Sequence, residues 1–512
     1  MRPARPDVSR RTAYDLLRAV AEREAYANLE LPQLLRARRL HARDAALATE
    51  LAYGALRGRG RYDAVLAACL SRPLAEVDPP VLDVLRLGAH QLLATRIPTH
   101  AAVSATVELA RAVLGEGPAK LVNAVLRKVT AADQAEWLAR VAPDAEQDPV
   151  GNLAVVHSHP RWIVAAFRDA LDAASAGDPQ LGTMPSGDDA WAGESRWSQT
   201  AELLAADNDR PRVTLVARPG RSTVAELVAA GAVPAPFSPW GAVLSEGDPG
   251  DVPAVREGRA GVQDEGSQLV ALALAAVPVD SGAVGDHGVG RDRWWLDLCA
   301  GPGGKAALLS AVAAGRGARV LANEIAPHRA ALVARAVAGS TLRPASGPVG
   351  TGRGGNAQVI VGDGTAPVIV GDGTAPAWRP GSFDRVLADV PCTGLGALRR
   401  RPEARWRRAP EDLDGLGRLQ RALLHAALDA ARPGGVVAYV TCSPHLAETR
   451  GVVERVLTET RAGGRDVDVL DARPFLPGVS DLGAGPYVQL WPHRHGTDAM
   501  FLALMRPGPM SR

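Results

Sequence analysis

Apolar side chains recur at three- and four-residue spacing through the first 130 residues of the chain, which is the repeat of amphipathic helices. Segments 13–20 and 80–93 show this repeat most clearly. Proline at position 98 and the glycine- and proline-containing turn at 115–118 divide it into separate helices. No run of alternating apolar and polar residues interrupts the repeat. We therefore predict an all-α domain over residues 1–135.

Two further regions follow this helical pattern. Residues 136–208 are polar and acidic, which is typical of a linker, and one helix is predicted near 160–171. Residues 209–256 contain a strand pattern at 213–217 and a helix pattern at 224–230. They are predicted to form a small α/β subdomain.

Residues 257–512 alternate apolar strands with amphipathic helices. The predicted strands are 294–299, 319–324, 383–389 and 435–441. Such alternation predicts an open, mostly parallel sheet that is covered by helices on both faces. Ligands of these sheets bind beyond the carboxyl ends of the strands. The chain is thus predicted to be multidomain, with an all-α part followed by α/β parts.

The composition of the 512 residues supports folded domains rather than a disordered chain, with 46% hydrophobic and 22% charged residues. No stretch reaches the roughly 20 apolar residues of a membrane helix, and no apolar segment follows the basic N-terminus as in a signal peptide. The four cysteines contain no Cys-x-x-Cys pair, which argues against a disulfide scaffold or a structural zinc site. We expect a cytoplasmic protein with no membrane span and no metal.

Charge is unevenly distributed along the chain. Residues 1–130 carry 20 basic and 13 acidic side chains, whereas residues 131–200 carry 4 and 11, and this change of sign indicates a domain boundary. Six arginines and Trp406 lie between positions 399 and 408. Two interpretations of this segment stay open: a solvated helix end, or a phosphate-binding edge with an aromatic ring for base stacking.

A glycine-rich turn, Asp297-Leu-Cys-Ala-Gly-Pro-Gly-Gly-Lys305, joins a predicted strand to a helix. It lacks the glycine and the Ser/Thr of a Walker A loop. Gly301, Gly303 and Ala306, with Glu324 further on, satisfy a dinucleotide fingerprint. The same residues satisfy an S-adenosylmethionine loop, in which the glycines lie under the methionine moiety and Glu324 holds the ribose hydroxyls. The turn alone does not decide between these cofactors.

A tandem repeat of nine residues, Val-Ile-Val-Gly-Asp-Gly-Thr-Ala-Pro, begins at position 359 and again at 368. It is too short for a solenoid repeat and is interpreted as a duplicated strand end with its turn. Asp363 and Asp372 occupy equivalent positions in the two copies.

Two cysteines follow predicted strands, in Asp389-Val-Pro-Cys392-Thr-Gly and in Thr441-Cys442-Ser-Pro. With the segments 262–268, 298–305 and 496–501, these motifs resemble the RNA (cytosine-C5) methyltransferases. Within them the similarity is to the bacterial RsmB/Fmu (Sun) rRNA methyltransferases. The N-terminal helices resemble the NusB-type RNA-binding domain of that branch. The resemblance covers most of the chain, except about 173–200, 280–292 and 340–357.

The resemblance implies a Rossmann-like class I methyltransferase domain over residues 257–512 and a covalent mechanism. In that mechanism a cysteine adds to C6 of cytosine, a step assigned to Cys442, and Cys392 assists release of the product. Asp389 would hydrogen-bond the N3/N4 edge of the base. The cofactor would be S-adenosylmethionine, held by Cys299, Ala300, Gly301, Pro302, Gly303, Gly304, Lys305, Glu324, Asp389 and one aspartate of the duplicated turn. We favour Asp372 over Asp363 because of its short spacing to the next strand, and we expect Cys299 to pack rather than react.

The expected partner is RNA, specifically small-subunit rRNA, with no obligate protein partner evident, and the NusB-like domain is expected to supply RNA affinity. Three alternatives remain. One keeps the chemistry but moves it to tRNA. Another is a non-catalytic NusB-like RNA-binding or antitermination factor. The last is a nicotinamide oxidoreductase, for which the sequence offers no hydride-transfer partners.

Overall fold

The computed structural model describes residues 7–175, 193–280, 292–338, 358–360 and 367–510. These residues form two compact units. The first contains the described residues of Met1–Arg168, Trp191–Arg210 and Leu398–Arg408, and the second those of Asp169–Ala190, Pro211–Ala397 and Ala409–Arg512.

Helices alone build the regular structure of the first unit, which confirms the predicted all-α N-terminal domain. They are α1 (Val8–Arg23), α2 (Ala27–Ala37), α3 (Ala42–Arg57), α4 (Arg59–Cys69), α5 (Pro79–Ala94), α6 (Thr99–Leu114), α7 (Glu116–Val129), α8 (Gln134–Val141), α9 (Pro149–Val156), the first half of α10 (Arg161–Ser175), and α11 (Gly193–Ala206). Leu16, Leu51, Leu85 and Leu126 meet in one buried cluster. Each buried leucine contributes about 1.5–3 kcal/mol relative to an exposed one, so the apolar stripe of each helix is what fixes it here.

The region predicted as an acidic linker is more helical than its pattern predicted, because it contains α8 to α11. Acidic residues just before and within this region begin two of these helices. The side chain of Asp133 accepts a hydrogen bond from the Glu136 amide, and that of Asp148 accepts one from the Gly151 amide. N-terminal caps of this kind stabilise a helix by about 1 kcal/mol. Acidic residues that indicated a linker therefore act in part as helix caps.

The arginine-rich segment 399–408 is part of the first unit, and neither interpretation of it holds throughout. Arg405 is fully buried, and its guanidinium donates to the Ser158 carbonyl at 3.0 Å and to Oδ1 of Asn208 at 2.8 Å. Arg399 is buried as well. The Arg407 guanidinium donates to backbone carbonyls of the same unit. Arg399 and Arg405 are therefore neither a solvated helix end nor a phosphate-binding edge, because their side chains are enclosed by protein.

A small sheet opens the second unit, as the predicted α/β subdomain required. Its strands are β1 (Val213–Ala217), β2 (Ala232–Pro234), β3 (Gly241–Leu244) and β4 (Ala260–Val262), with helices α12 (Val224–Ala229) and α13 (Pro253–Arg256). The strands lie in the order β2-β3-β1-β4, and all neighbours are antiparallel.

The large sheet carries the predicted α/β pattern. Its strands are β5 (Trp294–Asp297), β6 (Arg319–Glu324), β7 (Gln358–Ile360), β8 (Val368–Val370), β9 (Phe383–Asp389), β10 (Ala431–Thr441), β11 (Arg465–Leu470), β12 (Val488–Gln489) and β13 (Phe501–Met510). The order is β11-β13-β10-β9-β5-β6-β8-β7, with β12 paired to β13. The five strands from β10 to β8 are parallel, and antiparallel strands complete both edges. The Rossmann-like prediction is confirmed.

Helices cover both faces of this sheet, because successive residues of its central strands are apolar and point to opposite faces. The helices are α14 (Glu265–Ala276), α15 (Gly304–Ala314), α16 (Pro327–Ala338), α17 (Asp412–Ala430), α18 (Arg450–Ala462) and α19 (Pro492–His495). Leu387 of β9 joins the core formed with α14 and α15. Its neighbours Val386 and Ala388 join the core formed with α17 and α18. Burial on both faces fixes the register of the strands and the position of their ends.

The two copies of the nine-residue repeat differ in their strands. The second copy forms β8, which runs parallel to β6 and pairs Val370 with Glu324. The first copy contributes β7, which runs antiparallel to β8 at the sheet edge. Asp372 therefore follows a strand end that lies beside Glu324, whereas Asp363 lies outside the described residues.

Candidate active site

Five neighbouring parallel strands end along one edge of the large sheet, and the predicted site residues follow these ends. Cys442 follows β10 and Asp389 ends β9, with Val440 and Asp389 in register. Asp297 ends β5 and leads into the glycine turn, while Glu324 ends β6. The edge therefore gathers motifs that are far apart in the sequence, at the position where sheets of this class bind ligands.

The two cysteines of the Pro-Cys and Thr-Cys-Ser motifs meet at this edge. The Sγ atoms of Cys392 and Cys442 lie 3.4 Å apart, close enough for a thiol hydrogen bond, and both side chains are half-buried. The amide of Gly396 donates to the Cys442 carbonyl at 2.9 Å, which ties one cysteine loop to the other. Neither sulfur is part of a disulfide, so both thiols can take part in chemistry.

A buried cation lies beside the cysteines. Nζ of Lys305 donates to Oδ2 of Asp389 at 2.9 Å, and the two side chains are 12% and 25% exposed. Burial opposes the charge of Lys305, but attraction to Asp389, and further to Cys442, outweighs it and raises the pKa of the ammonium. Lys305 is therefore held positive, with Asp389 as its partner.

Asp297 lies under this pair with its carboxyl group enclosed by protein. Burial, helped by repulsion from Asp389, raises the pKa of Asp297 to about 8, although Lys305 acts in the opposite direction. A carboxyl group in this position is mostly protonated at pH 7. The Lys305 ammonium therefore has Asp389, and not Asp297, as its carboxylate partner.

The three cysteines of the second unit differ in environment. A hydrogen bond with Cys442 and burial raise the pKa of Cys392 well above that of a free thiol. Burial raises the pKa of Cys299 strongly as well, and that side chain packs against the core under the glycine turn. A thiol that stays protonated is a poor nucleophile, which agrees with the predicted packing role of Cys299.

The glycine turn forms a cradle between β5 and β6. The Gly301 amide donates to Oε2 of Glu324 at 3.0 Å, and Arg329 of α16 donates to the Gly301 carbonyl at 2.7 Å. A Cβ on Gly301 would lie 2.2 Å from that carboxylate oxygen. Gly303 has a φ of +112°, and a Cβ there would lie 2.8 Å from that of Ala336. Both positions therefore require glycine.

Polar groups at the same edge face this cradle and fit S-adenosylmethionine. Oδ1 of Asn323 is buried and makes no hydrogen bond with any described residue. Glu324 is buried, and within the described residues its carboxylate accepts hydrogen bonds from the amides of Gly301 and Ala326 and lies 3.5 Å from the guanidinium of Arg329. Asp372 is exposed at the end of β8, and its Oδ1 accepts from the Thr374 amide and hydroxyl. Carboxylates at adjacent strand ends suit the hydroxyl and amino donors of a ribose and an adenine.

Two further segments that carry the family resemblance, 262–268 and 496–501, contact each other. Oδ2 of Asp264, in segment 262–268, accepts hydrogen bonds from the amides of Gly266 at 2.9 Å and of Asp498 at 3.1 Å. The motif at 496–501 is therefore anchored to the start of α14. The contact between the two segments is structural and involves none of the reactive groups.

Sequence reasoning missed a buried group next to the cysteines, Glu448. It lies six positions after Cys442 and accepts hydrogen bonds from Thr393 and Gln420. Arg329, which contacts the glycine turn, was missed as well. No sequence motif indicates either residue, because the partners that each one contacts are brought close only by the fold.

Two features are absent from the described part of the chain. No helix there is long and apolar enough to span a membrane. In the same residues, no group of three or more His, Cys, Asp or Glu side chains is arranged to hold a metal ion.

Comparisons with known proteins agree with this geometry. The profile of the family described as 16S rRNA methyltransferase RsmB/F matches residues 289–506, and the NusB family profile matches residues 7–131. The fold, the site and these matches together define an S-adenosylmethionine-dependent RNA methyltransferase.

Individual relatives support the same assignment. Rv1407 of Mycobacterium tuberculosis, described as a methyltransferase, is 49% identical over 98% of this chain and 96% of its own length. Ribosomal RNA small subunit methyltransferase B of Pseudomonas putida is 30% identical over 88% of this chain and 89% of its own. The crystal structure of PH0851 superposes with a TM-score of 0.71 at 18% identity, covering 98% of this chain and 99% of that one, and shares the fold. The chain belongs to the RsmB/F family of RNA methyltransferases.

Proposed function

We propose that the protein forms 5-methylcytosine in 16S rRNA through a covalent adduct between Cys442 and C6 of the target cytosine. The observation that carries this proposal is the pair of thiols 3.4 Å apart beside the Lys305–Asp389 ion pair. A base-binding protein without chemistry needs neither a second thiol nor a buried cation at this edge. The proposal assigns a role to each group.

Cys442 is the nucleophile. Carbon C5 of cytosine is a weak nucleophile, and addition of a thiolate to C6 turns it into an enamine-like carbon. A cation close to a thiolate stabilises it, and Lys305 attracts Cys442 in this way. Asp389 hydrogen-bonds the N3/N4 edge of the base, and the adjacent Lys305 ammonium offsets the negative charge that the ring gains as the S–C6 bond forms.

Cys392 acts after methyl transfer. S-adenosylmethionine, when bound, supplies an electrophilic methyl group to the activated C5. The proton on C5 must then leave, and the electrons of that C–H bond restore the C5–C6 double bond while the Cys442–C6 bond breaks. The hydrogen bond to Cys442 that favours the neutral thiol of Cys392 disappears once Cys442 is bonded to carbon. Cys392 can then lose its own proton to water and accept the C5 proton.

The cofactor cradle is assigned to the glycine turn, Glu324 and Asp372. The glycines allow the methionine part to approach the backbone, Glu324 accepts the ribose hydroxyls, and Asp372 lies on the adenine side. Asp372 is preferred to Asp363 because β8 ends beside Glu324. Arg329 and Asn323 complete the edge between them.

The substrate is proposed from the relatives that carry the name of a small-subunit rRNA methyltransferase and from the NusB-like helices. A cytosine must leave its stack to reach Cys442, so the target is expected in a loop or in incompletely folded rRNA. The test is bisulfite mapping of 16S rRNA and tRNA from a strain lacking the gene, with the wild-type strain and a complemented strain as controls. Loss of one 5-methylcytosine from 16S rRNA supports the proposal. Loss from tRNA alone would move the activity to tRNA, and no loss in either RNA would refute it.

A further inference from the structure

A buried carboxylate lies at the base of the two cysteine loops. Glu448 ends the short 3₁₀ turn Leu446–Glu448 and is fully buried. Its Oε1 accepts from the Thr393 amide at 2.7 Å and from Nε2 of Gln420 at 3.1 Å, and its Oε2 accepts from the Thr393 hydroxyl at 2.5 Å. Among the described residues, no ammonium or guanidinium forms an ion pair with it. Burial of a carboxylate without a counter-ion is costly, so its hydrogen bonds must hold it in place.

These hydrogen bonds connect both cysteine loops. Thr393 directly follows Cys392, and its hydroxyl lies 3.2 Å from that of Ser443, which directly follows Cys442. Gln420 also donates to the carbonyl of Pro391 at 2.9 Å, on the other side of Cys392. One carboxylate thus lies at the centre of the contacts that set the separation of the two sulfurs.

Glu448 lies on the Cys392 side of the pair, where it accepts a hydrogen bond from the amide of the next residue, Thr393. Glu448 repels negative charge on Cys392 and contributes to the raised pKa of that thiol. Cys442 itself and Tyr439, whose hydroxyl donates to the Glu448 carbonyl, also lie around Cys392. Across the pair, the Lys305 ammonium with its partner Asp389 interacts with Cys442. His445, near Glu448, has a pKa lowered by burial.

We propose that Glu448 is a positioning residue that gives the two cysteines their different roles, by keeping Cys392 a neutral thiol while Cys442 attacks. This inference rests on the proposed function. Two identical side chains 3.4 Å apart would otherwise compete for the same carbon. An anion on the Cys392 side and a cation on the Cys442 side separate them. The same anion makes Cys392 the stronger base once the adduct has formed.

The test measures the reactivity of Cys392 without RNA. In the full-length Cys442→Ala protein, alkylation of Cys392 by iodoacetamide is followed from pH 6 to pH 10 by mass spectrometry of the Cys392 peptide. Glu448→Gln keeps the shape of the side chain and removes its charge. The pH profile of Cys392 alkylation should therefore move to lower pH by about one unit, which is a rate increase of about tenfold on the rising side of the profile. Glu448→Asp keeps the charge, so its alkylation profile should stay at the same high pH as in the protein that retains Glu448. The Cys299 peptide serves as an internal reference.

An unchanged Cys392 profile in Glu448→Gln would overturn the proposal, as would an equal shift of the Cys299 profile. If Glu448→Gln does not fold, Thr393→Val removes one donor and keeps the charge. Its profile should not move to lower pH, and a move would also refute the idea. Failure of the proposed function is recognised separately, because the alkylation profile does not depend on any RNA substrate.

Discussion

Replacement of Asp297 by asparagine should change the pH dependence of stability in a way that the structure defines. The carboxyl group is enclosed at the end of β5, where burial and Asp389 raise its pKa to about 8 from an ordinary value of 3.8. The native state therefore binds a proton that the unfolded chain has released. Stability contributed by this proton is complete below the unfolded pKa and is lost as the pH rises towards the native pKa.

The magnitude follows from the two pKa values. Each pH unit between them costs about 1.4 kcal/mol of stability, so the native protein should lose about 3 kcal/mol from this group between pH 6 and pH 9. Asparagine has nearly the same shape and no titration in this range. The Asp297→Asn protein should therefore gain stability over the wild type by about 3 kcal/mol between these pH values, or roughly 5–10 °C in Tm.

Thermal unfolding of both proteins at pH 6, 7, 8 and 9 measures this difference, and all other titrating groups cancel in the comparison. Asp466→Asn, at an exposed position, makes the same change of side chain and serves as the control. Parallel stability profiles for wild type and Asp297→Asn would refute the argument that Asp297 is held neutral beside the Lys305–Asp389 pair.

Two further predictions concern RNA and cofactor binding. Arg36, Arg39 and Arg43 are exposed where α2 ends and α3 begins. If they contact phosphates, replacing all three by glutamine should weaken 16S rRNA binding and lower the slope of log K against log salt by about 2. An equal slope would remove this surface from the RNA interface. Asp372→Ala should weaken S-adenosylmethionine binding in isothermal titration by about 1–3 kcal/mol, as expected for a lost hydrogen bond. Asp363→Ala should leave it nearly unchanged, and the reverse result would assign the adenine side to the first copy of the repeat.

Much of the fold was predictable from the sequence, because burial on both faces leaves a strong pattern. Strands β6 and β9 begin and end at the residues that the sequence pattern predicted. The strand ends then bring Cys392 and Cys442 together without further information, since parallel neighbours end at one edge.

Other features depended on partners that are distant in the sequence. Arg405 lies in a segment whose composition suggests a solvated or phosphate-binding surface. In the fold it is buried and donates to carbonyl groups of residues that are distant from it in the sequence. Asp148 lies in the predicted acidic linker and is a helix cap in the fold. Glu448 is one acidic residue among 56, and only its contacts with Thr393 and Gln420 distinguish it. Residue type alone does not carry this information.

Covalent trapping tests the proposed mechanism most directly. The wild type, Cys442→Ala and Cys392→Ala are each incubated with 16S rRNA and S-adenosylmethionine, then run on a denaturing gel. Cys442→Ala cannot form the bond to C6 and should run as free protein. Cys392→Ala should attack and methylate but fail to release the product, and so should accumulate a protein–RNA adduct that survives the denaturant. An adduct in Cys442→Ala with none in Cys392→Ala would contradict the assignment of the two cysteines, and no adduct in either would contradict the release role of Cys392.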